Sequence, residues 1–203
     1  MPGTAWFAVD LGQGQVCAIR DDHALYCWGR NPEGEAGIGS QIGQARVPIR
    51  VGTESDWISI AGSQHHTCGV RGDGSLWCWG MNPFFEISAE DTAASFFIPT
   101  RVGTASDWAT VGTGWFHSCG HKRDGRLFCW GRAIEGQLAQ GGGDPVREPT
   151  LVAMPNRWQR YALGSFHTCG VNATGALYCW GMGKNGQLGR GDNENRFAPE
   201  LVP

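Results

Sequence analysis

The sequence predicts an all-β chain of four-stranded blades stacked as in a β-propeller, and three observations predict it. Trp6, Trp57, Trp108 and Trp158 recur at spacings of 51, 51 and 50 residues, a period typical of tandem supersecondary units. Each Trp precedes by eleven residues the first of two cysteines ten apart, inside an apolar–turn–apolar run that reads as a β-hairpin. Finally, 32 Gly and 10 Trp in 203 residues favour short strands and tight turns over helices.

The units run 5–55, 56–106, 107–156 and 157–203 within one domain spanning 1–203. Each opens on a β-like segment (AWFAV, DWISIA, DWATVG, RWQRYA) and turns through Gly into the hairpin. A longer Gly/Asn/Pro loop follows, and then an extended segment led by Pro (VPIRV, IPTRV, EPTLV, APELV). Pro suits the start or edge of a sheet, where no ladder donor is lost. Four strands in about fifty residues make one propeller blade.

The hairpin is clearest in the second unit, HHTCGVRGDGSLWCWG from His65 to Gly80. A turn centred on Asp73 pairs Val70 with Leu76, Gly69 with Trp77, Cys68 with Cys78 and Thr67 with Trp79. Alternation then puts His66, Cys68, Val70, Leu76 and Cys78 on one face, and Thr67, Gly69, Trp77 and Trp79 on the other. A small residue always opposes the first hairpin aromatic: Ala18 and Tyr26, Gly69 and Trp77, Gly120 and Phe128, Gly170 and Tyr178. That leaves room for the ring to lie flat across the partner strand. Both faces are apolar, so each blade needs cover on both sides.

The pattern W-x4-5-G-x3-H-[TS]-C-x4-D-G-x-L-[YWF]-C-W-G, followed by N-x-x-G-Q-L-G and P-x-x-V, resembles the repeat named after the regulator of chromosome condensation (RCC1). The fourth unit carries it best, in Phe166-His167-Thr168-Cys169, Cys179-Trp180-Gly181, Asn185-Gly186-Gln187-Leu188-Gly189, Pro199 and Val202. The resemblance covers essentially the whole chain. It implies a propeller, usually of seven blades, that serves as a binding platform; members include guanine-nucleotide exchange factors, a plant ultraviolet receptor and a secreted bacterial inhibitor of β-lactamases. It also implies structural roles for His66, His117 and His167, which would bond backbone groups where strands leave the channel. Trp28, Trp79, Trp130 and Trp180 close the hairpins as packing residues.

Departures from the pattern carry information. Gln15 stands where the other units have His, and Ala139 replaces a loop Gly. The second unit loses the glycine loop and has Phe84 and Phe85, then Phe96 and Phe97. These rings, with Trp115, are either anchors for a partner or a plug beneath the loop.

The two cysteines of each unit fall opposite one another across a hairpin, where neighbouring Cα atoms lie about 4.5–5.5 Å apart, a distance that a disulfide accepts. A pair in every unit with none left over favours Cys17–Cys27, Cys68–Cys78, Cys119–Cys129 and Cys169–Cys179 over free buried thiols. Intracellular members of the resembling family commonly carry Val or Ser there. The expected compartment is oxidising, extracellular or periplasmic, although no signal peptide is evident in MPGTAWFAVDLGQG.

Other chemistries find little support. Three units repeat a His/Cys/Cys trio, but without a fourth ligand or close Cys spacing, so neither metal nor cofactor is expected. No nucleophile elbow, zinc-protease motif or phosphate loop occurs, and carboxylates such as Asp91, Asp144, Asp192 and Glu194 stand singly, so no enzyme is expected. Gly114-Trp115-Phe116-His117-Ser118 resembles an element of the plant photoreceptor but occurs once, with no Trp–Arg cluster in the sequence pattern. A net charge of −3 gives no basic stripe for nucleic acid, and no apolar run reaches the roughly 18 residues of a membrane span. Asn172-Ala173-Thr174 is a glycosylation acceptor pattern placed in a hairpin turn, where it reads as an ordinary turn Asn.

The expected function is therefore a protein-binding scaffold that uses the loops 31–46, 82–97, 132–148 and 183–197 on one face. A carbohydrate-binding lectin is the alternative, disfavoured because the loops are unlike one another; a GTPase exchange factor is a weaker one. Four units are fewer than a seven-bladed ring needs. Hence the apolar outer faces of the terminal blades are covered by self-association, by further blades of a longer propeller, or by closure as a four-bladed ring.

Overall fold

The computed structural model describes residues 5–40, 42–90, 92–154 and 157–203; the loop carboxylate Asp91 lies outside them. Its elements are sixteen strands in four antiparallel sheets. The first sheet holds β1 (Trp6–Leu11), β2 (Gln15–Arg20), β3 (Leu25–Arg30) and β4 (Gln44–Arg50); the second holds β5 (Trp57–Gly62), β6 (His66–Arg71), β7 (Leu76–Met81) and β8 (Ser95–Arg101). The third holds β9 (Trp108–Thr113), β10 (His117–Lys122), β11 (Leu127–Gly131) and β12 (Val146–Leu151); the fourth holds β13 (Trp158–Leu163), β14 (His167–Asn172), β15 (Leu177–Gly181) and β16 (Arg196–Leu201). Within each sheet the strands pair in chain order. The first strands, β1, β5, β9 and β13, meet one another at the inner side of the stack.

The hairpin register is the one the alternation requires. His66 pairs with Gly80, Thr67 with Trp79, Cys68 with Cys78, Gly69 with Trp77 and Val70 with Leu76, and the other blades repeat it. Turn chemistry sets this register: Asp73 Oδ1 accepts the Ser75 N–H at 2.8 Å, and Gly74 supplies the left-handed residue at φ +80°. In the first blade His23 takes that place at φ +60°. Asn172 accepts from the Thr174 and Ala176 backbones at 3.0 Å and is 1% exposed, so the glycosylation pattern is used up as turn structure.

Blades pack face to back. Cys17, Ile19, Leu25, Cys27, Ala36 and Val51 of the first blade enclose Trp57 and Trp79 of the second. Cys68, Val70, Leu76 and Cys78 receive Trp108 and Trp130, and Cys119, Leu127 and Cys129 receive Trp158 and Trp180. Each buried tryptophan removes on the order of 200 Å² from water, so these rings dominate blade cohesion.

The small residues opposite the hairpin aromatic have a different cause from the one the sequence suggests. A Cβ on Gly69 would meet Trp57 Cζ3 at 2.7 Å, and one on Gly120 or Gly170 would meet Trp108 or Trp158 at 2.6 Å. The ring lying over the glycine is thus the Trp of the first strand. Tyr26, Phe128 and Tyr178 stand edge-on to it at 5.6–6.0 Å.

All eight cysteines are joined across their hairpins as Cys17–Cys27, Cys68–Cys78, Cys119–Cys129 and Cys169–Cys179, with Cα atoms 4.0–4.2 Å apart. Such bonds are compatible with an oxidising compartment. No helix of the described residues is long and apolar enough to cross a membrane.

Candidate functional site

Each meander puts two kinds of connection at one end of the stack: the short turns from first to second strand, and the long loops from third to fourth. That end gathers the residues that the packing of the sheets does not consume.

Immediately before the repeated His, the units carry Gly14, His65, Phe116 and Phe166. His65 stacks on Phe116 with centroids 4.4 Å apart, Phe84 meets Phe116 edge-on at 5.4 Å, and Phe116 and Phe166 lie parallel at 6.5 Å. Trp115, 38% exposed, stands edge-on to Phe166 at 5.3 Å. The Arg132 guanidinium lies 5.3 Å from both the Phe84 and Phe166 rings, held by two bonds to Glu135 at 2.6 and 3.1 Å. The result is an aromatic belt across three blades with one fixed cation in it. Beside it, Leu11, Gln13, Gln64, Trp115 and Ser165 rim a cavity of about 400 Å³ at the mouth of the inner channel.

The four loop phenylalanines do not act as one group. Only Phe84 joins the belt. Phe85 lies under Arg147 of the next blade, with the guanidinium 3.8 Å from its ring centre. Phe96 packs on the buried core of its own blade, and Phe97 lies against Gly34 of the first blade. Nor is the glycine loop of the second unit lost. Asn82 Oδ1 accepts the Ile87 N–H at 2.8 Å, as Asn31 Oδ1 accepts Ala36 N–H at 2.9 Å. Phe85 itself takes the left-handed place at φ +65°, where the other units have Gly34, Gly136 and Gly186.

The repeated histidines tie blades together through side-chain hydroxyls. His66 Nε2 lies 2.7 Å from Ser118 Oγ, and His117 Nε2 lies 3.1 Å from Thr168 Oγ1 of the following blade. Burial pushes both imidazoles down to about 3, so they are neutral. His167, on the last blade, is only half-buried. Gln15 instead donates to the Ser63 carbonyl at 2.5 Å. Trp79, Trp130 and Trp180 are fully buried, and each donates its indole N–H to the preceding blade, whereas Trp28 is half-exposed.

Two buried carboxylates lie beneath the loops. Glu35 is met by Arg30 at 3.1 Å, and burial raises its pKa. Glu86 has no such cation: burial raises it to about 8, and Oε1 has no partner. Among the described residues, no group of three or more His, Cys, Asp or Glu is placed to hold a metal ion.

The sequence singles out Trp115 and Phe84 but not His65, Phe116, Phe166 and Arg132, which the structure brings to the same place. A signal for them exists at the residue before the motif His, which is large and aromatic in three of the four units.

A stack of four-stranded antiparallel blades, each joined to the next by Trp and by His or Gln, is a β-propeller built of tandem repeats. The regulator of chromosome condensation (RCC1) repeat matches residues 22–70, 124–171 and 174–203, with a second form of it at 57–85 and 108–137. The chain belongs to the RCC1 repeat family. It is 28% identical over 142 residues to the ultraviolet-B receptor UVR8 of Arabidopsis thaliana, covering 66% of this chain and 31% of that one. It is 25% identical over 163 residues to protein pim1 of Schizosaccharomyces pombe, covering 70% and 30%. Among solved structures, human WBSCR16 superposes with a TM-score of 0.87 at 20% identity, covering 98% of this chain and 53% of that one. Prp20p of Saccharomyces cerevisiae, whose structure was described with its binding to Gsp1p and histones, gives 0.86 at 19%, covering 98% and 50%. The chain thus spans under a third of these two curated relatives and about half of these two solved propellers.

Proposed function

We propose that this chain is a non-catalytic protein-binding scaffold that takes its partner on the loop end, across the belt of His65, Phe84, Phe116, Phe166 and Trp115. The observation that carries the reading is the belt itself: partly exposed rings held edge and face around Arg132, spanning three blades. Trp and Arg are enriched among the residues that dominate protein–protein affinity, and rings fixed in advance lose little entropy on binding. Loops that differ from blade to blade suit one composite protein surface better than a set of equal sugar sites. The relatives support a binding role, since Prp20p has binding properties toward Gsp1p and histones. An exchange-factor activity, borne by the relative SRM1 of Saccharomyces cerevisiae, is the second reading. We place the protein in an extracellular or periplasmic compartment on the strength of the four cross-strand disulfides.

The test is affinity capture with the parent chain and a Phe84→Ala/Trp115→Ala variant. The expected result is one partner held by the parent and lost by the variant, with circular dichroism and melting unchanged. Equal capture by both would refute the site, and nucleotide release from a captured GTPase would favour the exchange-factor reading. Non-reducing peptide mapping of native protein checks the compartment; eight free thiols would refute it.

A further inference from the structure

The long loops of the four blades share one device. At one place each carries Glu35, Glu86, Gln137 or Gln187, whose side-chain oxygen accepts the N–H two residues earlier. Those bonds reach Glu33 at 2.9 Å, Phe84 at 2.9 Å, Glu135 at 3.0 Å and Asn185 at 2.8 Å. The blades differ in what meets the second polar atom of that side chain. Glu35 Oε1 takes Arg30 at 3.1 Å, and Gln137 Nε2 donates to Glu135 at 3.1 Å. Glu86 is 0% exposed, and its Oε1 has no partner among the described residues.

The residue after each hairpin Trp-Gly accounts for the difference. Arg30 and Arg132 stand there in the first and third units, each bonded to a loop carboxylate. The second and fourth units have Met81 and Met182 instead. Met182 goes with the neutral Gln187, but Met81 goes with Glu86, a buried carboxyl without the cation that Glu35 has. The charged groups packed near this loop face other partners. Arg132 lies over the Phe84 ring and is tied to Glu135, Arg147 lies over Phe85, and Glu90 is exposed. His65 stacks on Phe116, and the buried imidazoles of the junction, His66 and His117, are neutral. Only backbone N–H groups, of Phe84 and of Glu86 itself, favour the ionised form, and burial outweighs them, raising the carboxyl to about 8.

We propose that Glu86 is a proton latch on Phe84. Protonated, it closes residues 83–85 over the blade and holds the Phe84 ring against Phe116. Ionised, it turns out to water and lets that ring leave the belt. A carboxylate left unpaired in an apolar surround lies far above one in water, so the open loop becomes the lower state. Phe85 favours release, because it sits at φ +65°, where a side chain is strained and the other units have Gly. The motion is local. The Glu86 carbonyl keeps the Trp130 indole at 2.7 Å and Asn82 Oδ1 keeps the Ile87 N–H at 2.8 Å, so the blades stay joined.

The belt is therefore complete in neutral and acidic solution and loses one ring in alkaline solution. The effect on a partner rests on reading the belt as the binding surface. Apparent affinity there follows the latched fraction and falls about tenfold by pH 9.

The experiment is fluorine NMR on the 203-residue chain carrying 4-fluorophenylalanine at position 84, with carbon-13 in the glutamate carboxyls, over a pH series from neutral to alkaline. In the parent, one carboxyl titrates with a midpoint of about 8, and the fluorine signal moves toward its solvent value with the same midpoint. Glu86→Gln keeps the bond to the Phe84 N–H, as Gln137 does for Glu135, and its fluorine signal stays at the neutral-pH position. Met81→Arg supplies the cation that Arg30 gives Glu35; its Glu86 is ionised across the series and the fluorine signal again stays. Circular dichroism checks that the blades remain folded throughout. A parent fluorine signal that does not move overturns the proposal. So does a Glu86→Gln chain that follows the parent's curve, since another group such as His65 would then be the trigger, or a Met81→Arg chain that opens as the parent does. No partner enters the measurement, so its failure leaves the belt as a binding surface standing, and failure of that surface leaves the latch.

Discussion

Arg147 and Phe85 form the one internal blade contact, among the described residues, in which the arrangement of the other two junctions is exchanged. Where the first and third blades have Gly34 and Gly136, the next blade lays Phe97 and Phe197 over them, and a Cβ on either glycine would meet the ring at 2.8–2.9 Å. The second blade has Phe85 at that glycine's place, and the third blade answers with Arg147, its guanidinium 3.8 Å from the ring centre. The aromatic ring has changed blades while the contact remains.

A double-mutant cycle on Phe85→Ala and Arg147→Ala is expected to show coupling of about 0.5–1 kcal/mol, as for a partly exposed cation–π pair. The exchanged pair Phe85→Gly/Arg147→Phe restores the pattern of the neighbouring junctions and removes a left-handed Phe. It should therefore melt above either single variant. Thermal denaturation of the four proteins checks both statements.

Ala139 sits at φ +59°, where Gly37 and Gly189 of other blades lie at +65° and +67°. An L-residue in that region costs about 1–2 kcal/mol, partly offset because Gly gains entropy when unfolded. Ala139→Gly is expected to stabilise by up to about 1 kcal/mol in urea titration. A loss of stability would show that the Ala methyl contributes more by packing than its backbone costs.

Glu86 and the two buried histidines pull stability in opposite directions with pH. Glu86 is raised from 4.5 to about 8, so the folded chain holds a proton that the unfolded chain releases. Its contribution is complete below 4.5 and is lost as pH rises through 8. His66 and His117 are lowered from 6.5 to about 3, so their contribution is complete above 6.5 and is lost as pH falls toward 3. Glu86→Gln is neutral at every pH. It is expected to stabilise by about 2 kcal/mol at pH 8 relative to the parent, with little difference at pH 4.5. An unchanged slope between pH 4.5 and 8 would remove Glu86 from this account.

The four disulfides differ in their cover. Cys17, Cys27, Cys68, Cys78, Cys119 and Cys129 are 0–1% exposed, whereas Cys169 on the open fourth blade is only half-buried. Limited reduction of the dilute chain with dithiothreitol should open Cys169–Cys179 first, since exchange needs access of a thiolate to sulfur. Alkylation and peptide mapping over time reads the order, and simultaneous opening of all four would contradict it.

Much of this molecule is determined by its sequence because its signals are local or repeated. The Trp period repeats along the chain, the turn residues around Asp73 and the cysteine pairs belong to single hairpins, and a one-residue slip in register would part Cys68 from Cys78 and move every side chain to the opposite face. Register and disulfide pairing are therefore legible along with the fold. What only the tertiary structure decided lies between blades. Gly69 is small because Trp57, from a strand outside the hairpin, covers it; His66 serves Ser118 fifty-two residues away; Phe85 answers to Arg147; and His65, Phe116 and Phe166 become one belt only when blades align. Those contacts depend on the angle at which one sheet meets the next, and that angle is set by the sum of many packed side chains.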